Sequence, residues 1–267
     1  MIIRILTLGI TCSLVTFSGT KENASIADLA HVSIRPPFQD GLKHIKPKVG
    51  LSFEYNPEAE KESIRLQTLQ KKIDKGEIKY ENLPESEQLA LDDLGQTGGY
   101  WSVGVSPVPQ WIDEFPPSKL WASSTLTASK NANYDVANLM DYDLRTVWSE
   151  GASGNGIGEF VAIQFPGKNK FGRETILTSV TLLNGFVKRN DLWSKNGRVK
   201  SIKLYLNDKP FAFLDVDDSR AYQTFNLGRI SSASGFTLKF EIAEIYPGTV
   251  YEDVVLSYLD FDGDGVL

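Results

Sequence analysis

The chain has 267 residues, of which 41% are hydrophobic, 23% charged and 11% aromatic. That composition excludes wholesale disorder, a collagen-like repeat and a coiled-coil rod, and it leaves enough apolar side chains for a full core. With 28 Lys and Arg against 34 Asp and Glu, the formal net charge is −6; no dense basic run occurs, so a phosphate-binding surface is not expected and nucleic acid is excluded as a partner.

At the N-terminus, Met1 to Arg4 carries one positive charge, residues 5–17 are mostly apolar, and small or polar residues follow. This is the layout of an export signal, expected over residues 1–25, with cleavage after Ser18 or Ala27. The apolar run is too short for a membrane span, and no other run in the chain is long enough. A secreted, periplasmic or envelope location follows. The single cysteine, Cys12, lies inside the signal; Gly9-Ile10-Thr11 before it is a poor setting for lipid attachment, and its removal leaves a chain without disulfides. One Cys and two His also supply too few soft ligands for a zinc or thiolate site.

Residues 26–56 carry Pro36, Pro37, Gly41 and Pro47 without a sustained period and read as an irregular linker. Asn56-Pro57 then opens a helix, Asn as the N-cap and Pro at the first helical position. It should run over 57–75 with Gly76 as its stop, glutamates at its start and lysines at its end. A second helix is expected over 84–94, capped by Gly95, with Leu89, Leu91 and Leu94 needing cover. The two-helix segment is therefore placed at 57–95 and a Gly/Pro-rich linker at 96–119.

From residue 120 onward the hydrophobic period changes to two. Strands are predicted over 160–165, 176–184, 200–206, 211–216, 222–227, 236–243 and 254–261. In 236–243, Phe236, Leu238, Phe240 and Ile242 alternate with Thr237, Lys239 and Glu241. Short strands joined by turn-rich loops, with no helix between them, predict a mainly β protein: an antiparallel β-sandwich or jelly roll over 120–267.

The glycine-rich stretch Gly151, Gly154, Gly156, Gly158 leads into a strand rather than a helix, so it is not a dinucleotide loop; its glycines serve a tight rim. Asp141, Asp143, Arg145, Trp148 and Glu150 lie just before it, and Asn184, Lys188, Asn190, Trp193 and Asn196 fall in the next irregular stretch. Rings, carboxylates, amides and a lysine suit a sugar, whose C–H face stacks on a ring and whose hydroxyls need polar partners. Trp148 taken alone reads rather as a core residue, and Asp141 and Asp143 as a turn. At the C-terminus, Asp260, Asp262 and Asp264 occupy positions 1, 3 and 5 of a calcium-type loop that stops before its final glutamate. They read as a calcium site or as an acidic turn. Glu150 and Glu159 could mimic a glycosidase pair, while His31 and His44 sit in the Pro-rich segment and Gly151-Ala152-Ser153-Gly154 has the wrong spacing for a nucleophile elbow.

The run Ala122-Ser123-Ser124-Thr125-Leu126, then Tyr134, Asn138 to Asp141, Thr146-Val147-Trp148 and Glu150-Gly151 resembles the start of discoidin-like (galactose-binding-like) domains. Residues 154–159, 184–188, 196–200 and 246–253 are similar, in order, to the translocation-type glycan-binding domain of bacterial NAD glycohydrolases. The resemblance covers about 120–262. It implies a β-sandwich that binds glycans or a cell surface without catalysis, the NAD-cleaving domain having no counterpart here. Relatives often carry a Cys in the segment before the domain; residues 100–110 have none. The expected ligand-binding residues are Trp148, Glu150, Asn184, Lys188, Arg198 and Tyr251, at the loop rim. The expectation is thus an exported, non-catalytic glycan-binding or surface-binding protein, or alternatively an adhesin-like or envelope module that recognises protein.

Overall fold

The computed structural model describes residues 41–53, 56–97, 111–129 and 132–265. The expected signal, Cys12, His31 and the Cys-less segment 100–110 lie outside the described residues. Every element described below belongs to one compact unit, Leu42–Leu267.

Two sheets form the fold. The first holds β1 (Lys43–Ile45), β8 (Lys209–Asp215), β7 (Arg198–Leu206), β10 (Phe236–Tyr246), β5 (Phe160–Phe165) and β3 (Lys119–Ala122), in that order. The second holds β2 (Lys48–Ser52), β9 (Ala221–Ser231), β6 (Ile176–Asn184), β11 (Val255–Asp264) and β4 (Trp148–Ser149). All pairings are antiparallel except that of β1 with β8. Alternation drives this arrangement: Phe236, Leu238, Phe240 and Ile242 are buried while Thr237, Lys239 and Glu241 face out, and the inward residues of both sheets meet in one core. Asn207 and Asp208, both at positive φ, make the tight turn between β7 and β8 that such a hairpin requires.

Several boundaries differ from the sequence reading. Residues 43–52, read as linker, supply an edge strand to each sheet, so the sandwich begins well before residue 120. Ile45 packs against the main core, and the Phe53 N–H donates to the Arg220 carbonyl. The helix α1 (Pro57–Asp74) starts as expected: the Asn56 side chain accepts from the Glu58 N–H at 3.1 Å. Gly76 and Glu77 close it, their N–H groups donating to Ile73 and Lys72 carbonyls. α2 (Glu85–Thr97) runs through Gly95 instead of stopping there. Leu66 and Leu91 are buried in this pair of helices, but Ile64 and Leu89 stay exposed, so the expected cover for Leu89 is missing among the described residues. A short α3 (Trp111–Glu114) places Trp111 and Phe115 over one end of the core, stacked at 5.1 Å.

The Asp260 to Asp264 stretch, read as a calcium site or an acidic turn, carries the last strand past its expected end at residue 261. It is not a loop but the outgoing half of β11, paired with β6 from Asp260↔Thr181 to Asp264↔Ile176. Carboxylates two residues apart on a strand are spaced along it by about 7 Å instead of wrapping an ion. Asp260 accepts from the Tyr258 hydroxyl and the Phe261 N–H, Asp262 from the Gly263 N–H, and Asp264 pairs with Arg229. Among the described residues no group of three or more His, Cys, Asp or Glu is placed to hold a metal. Gly263 is explained by packing, since a Cβ there would lie 1.9 Å from the Ile176 carbonyl oxygen and 2.6 Å from Trp111 Nε1. Gly263→Ala should therefore cost about 2–4 kcal/mol through forced backbone displacement, whereas Asp262→Ala, on the exposed side of the same strand, should stay within about 0.5 kcal/mol. Urea unfolding midpoints of the two variants check this; equal midpoints would contradict the packing account.

Candidate functional site

Antiparallel pairing carries four connections to one end of the sandwich: residues 150–159 after β4, 185–197 after β6, 216–220 after β8 and 247–254 after β10. All six residues expected to bind ligand lie at or just below this end. They divide into those that hold the rim together and those that face water.

Trp148 belongs to the first kind. It is 1% exposed within the main core, and its Nε1–H donates to the Ser124 carbonyl at 3.2 Å. It offers no ring face to a ligand. Glu150 is wholly buried: Oε2 accepts from the Ala152 N–H at 2.9 Å and Oε1 from the Val254 N–H at 3.2 Å. One carboxylate thereby ties the glycine-rich loop to the loop ahead of β11. Gly156, at φ +71°, closes over it; a Cβ there would come within 2.8 Å of the carboxylate, so no other residue fits. Glu159, its imagined catalytic partner, accepts a 2.6 Å hydrogen bond from the Ser123 hydroxyl.

Asn184 is also wholly buried. Its amide forms a reciprocal pair with the Val199 backbone, Oδ1 accepting from the N–H at 2.9 Å and Nδ2 donating to the carbonyl at 2.7 Å. In this way β6 of one sheet is joined to β7 of the other by a side chain acting as a short piece of strand. Arg198, with 9% of its side chain exposed, holds Asp218 through two bonds of 2.8 and 3.2 Å. It also donates to the Asn196 carbonyl at 2.9 Å, and its guanidinium lies over the Trp193 ring at 4.5 Å. Arg198 thus draws 193–196 and 218 into one knot.

Tyr251 belongs to the second kind, and Lys188 is half-buried. Tyr251 is 48% exposed on a loop fixed by three backbone bonds, in which Thr249, Val250 and Tyr251 N–H groups donate to the Ser194 and Lys195 carbonyls. Those carbonyls end α4 (Asn190–Lys195) and would otherwise be without partners. Lys188 follows the buried Val187, whose N–H donates to Ser257, and forms no ion pair with the described residues. Nearby, Arg189 and Lys195 hold the exposed Asp191 carboxyl down to about 2. Two exposed apolar side chains were not anticipated, Ile157 at the tip of the glycine-rich loop and Val250 beside Tyr251. An aliphatic residue between two glycines, Gly156 and Gly158, with no strand to bury it, was the available signal for Ile157.

Burial pushes the Glu150 carboxyl above its ordinary range, the two backbone N–H donors oppose that, and the nearby Asp253 and Glu159 charges add to it. Burial likewise raises Asp253, Asp141 and Asp260. A carboxyl raised by folding binds its proton more tightly in the native state, so stability from these groups is highest in acid and falls as pH rises through the raised values. Thermal midpoints should therefore decline as pH rises above the ordinary carboxylate range for this contribution, and Glu150→Gln, which takes up no proton, should flatten that decline. The same slope in the variant and the parent would contradict the assignment.

Residues 113–262, more than half of the chain, match the model of the NAD glycohydrolase translocation F5/8 type C domain. No curated protein matches the chain. Among solved structures, the CBM32-1 and CBM32-2 domains of Clostridium perfringens ZmpB are similar at 13% identity and a TM-score of 0.39, over 54% of this chain and 34% of that one. CpGH89CBM32-5 from Clostridium perfringens, in complex with GalNAc-beta-1,3-galactose, is similar at 15% identity and a TM-score of 0.40, over 54% and 94%. A Ruminococcus gnavus GH29 fucosidase in complex with fucose is similar at 11% identity and a TM-score of 0.37, over 68% and 31%. The chain thus spans about a third of the length of the first of these and nearly all of the second. By the match over 113–262, the chain belongs to the family of the NAD glycohydrolase translocation F5/8 type C domain.

Proposed function

We infer that this is an exported, non-catalytic protein whose sandwich binds a glycan at the rim formed by 150–159, 185–197 and 247–254. The observation that carries the reading is the division of labour at that rim. Glu150, Asn184 and Arg198 are spent internally on fixing the loops, which leaves the Tyr251 ring half open to water on a fixed loop, and the half-buried Lys188 without an ion-pair partner among the described residues. A ring on a fixed loop, with polar groups on neighbouring loops of the same rim, is what a pyranose needs, one face to stack on and hydroxyls to satisfy. Ordering of the loops before binding lowers the entropy cost of association. Family membership supports the same reading. The two acidic residues that could have formed a hydrolytic pair are both engaged in structural hydrogen bonds. Export rests on the N-terminal pattern; among the described residues no helix is long and apolar enough to cross a membrane.

A second reading, a protein partner at the same rim, is favoured by the exposure of Ile157 and Val250 on two of its loops. A glycan array probed with the full chain separates the two. Selective binding is expected, reduced at least tenfold by Tyr251→Ala and several-fold by Lys188→Ala with unchanged thermal midpoints. Trp148→Ala should instead lose about 3–5 kcal/mol of stability. A blank array from folded protein would overturn the glycan reading in favour of the protein partner.

A further inference from the structure

The outward face of the six-stranded sheet has an unusual composition for a surface that needs only to be polar. Two rows of side chains cross it perpendicular to the strands. In the first, Trp121 on β3 stands beside Ala162 on β5, Lys239 on β10 and Tyr205 on β7. In the second, Phe160 on β5 stands beside Glu241 on β10, Lys203 on β7, Phe213 on β8 and His44 on β1. Four aromatic rings from four strands thus face outward, and each keeps part of its surface in solvent.

Lysines attend every ring. Lys239 Nζ lies 3.8 Å from the Tyr205 centroid and 5.3 Å from that of Phe160; Lys203 lies 5.4 Å from Tyr205 and 6.0 Å from Phe213; Lys119 lies 4.7 Å from Trp121. The carboxylates of the rows are already engaged. Glu241 accepts from Lys239 at 2.9 Å and from the Tyr205 hydroxyl at 3.1 Å, and Asp215 bonds His44 at 2.8 Å. Lys119 and Lys203 have no carboxylate partner among the described residues. On a chain of net charge −6, this face therefore carries surplus positive charge interleaved with rings. Across the second row, four strand intervals span about 19 Å, the length of several linked sugars.

We propose that this sheet face is a second binding surface, separate from the rim, and that its ligand is a linear anionic polysaccharide bearing carboxylate or sulfate groups. The chain would lie across the strands, its sugar faces stacked on Trp121, Phe160 and Tyr205, Phe213 being stacked against the His44 ring at 5.1 Å. Its acidic groups would take up Lys119 and Lys203, whose ammonium groups now rest over the rings. A neutral glycan would leave those cations unmatched, so charge selects the ligand.

The test uses the full chain and calorimetric titration with hyaluronan hexasaccharide, heparin hexasaccharide and neutral cellohexaose. At least one acidic hexasaccharide should bind and cellohexaose should not. The double variant Lys119→Glu/Lys203→Glu should weaken the acidic ligand at least tenfold with an unchanged thermal midpoint. Should that variant fold poorly, Lys203→Ala should weaken it about threefold. Tyr251→Ala, on the rim, should leave it unaffected. The proposal is overturned if neither acidic hexasaccharide binds the parent, if the lysine variants bind as well as the parent, or if Tyr251→Ala abolishes binding. Equal, lysine-dependent binding of a single-stranded oligothymidylate would also overturn it, as would self-association that buries the face.

Discussion

Two backbone N–H groups, those of Val199 and Val254, sit where the sheets come together at one end of the sandwich, and each finds its acceptor in a buried side chain. Asn184 takes the first and Glu150 the second. A buried amide N–H left without a partner costs about 1–3 kcal/mol, and a buried carboxylate without donors costs more. The end is therefore stable only when loop and side chain are both in place. Neither Asn184 nor Glu150 can be moved toward a ligand without breaking this arrangement, which is why polar residues at a rim are not automatically binding residues.

That constraint determines what remains for function. With the glycine-rich loop pinned by Glu150 and the 193–196 segment pinned by Arg198, the 247–254 loop is held from both sides, by Lys195 and Ser194 carbonyls and by Val254. Tyr251 is displayed on that loop in a fixed position. The opposite end is built differently, from the apolar stack of Trp111, Phe115, Phe165 and Phe261. One end is a polar clasp with an exposed ring, the other an aromatic plug.

Much of this was legible in the chain because local rules agreed with the fold. Period-two alternation located β5 to β11, and Asn56-Pro57 located the start of α1. The edge strands β1 and β2 were not legible: they are three and five residues long, interrupted by Pro47 and Gly50, and exist because β8 and β9, some 170 residues away, offer open edges. The acidic C-terminus was ambiguous for a definite reason. Aspartates at every second position are shared by a calcium loop and by the outer face of a strand, and only the pairing with β6 decides between them. At the rim, residue type picked out side chains that come to share one end of the sandwich. It could not tell a carboxylate that faces water from one that accepts two backbone bonds, because that depends on where residues 152 and 254 come to lie.

The most direct test of the clasp is amide hydrogen exchange of the free protein, followed residue by residue by NMR. If Asn184 and Glu150 hold the rim as described, the Val199 and Val254 amides should exchange only through global unfolding, as slowly as Leu204 and Leu238 in the strand interior, and the Ala152 amide should be clearly protected. Exchange of Val199 and Val254 at the rate of the exposed turn residue Asp208 would mean that the loops open independently. The account of a rim held ready by buried polar side chains would then fail.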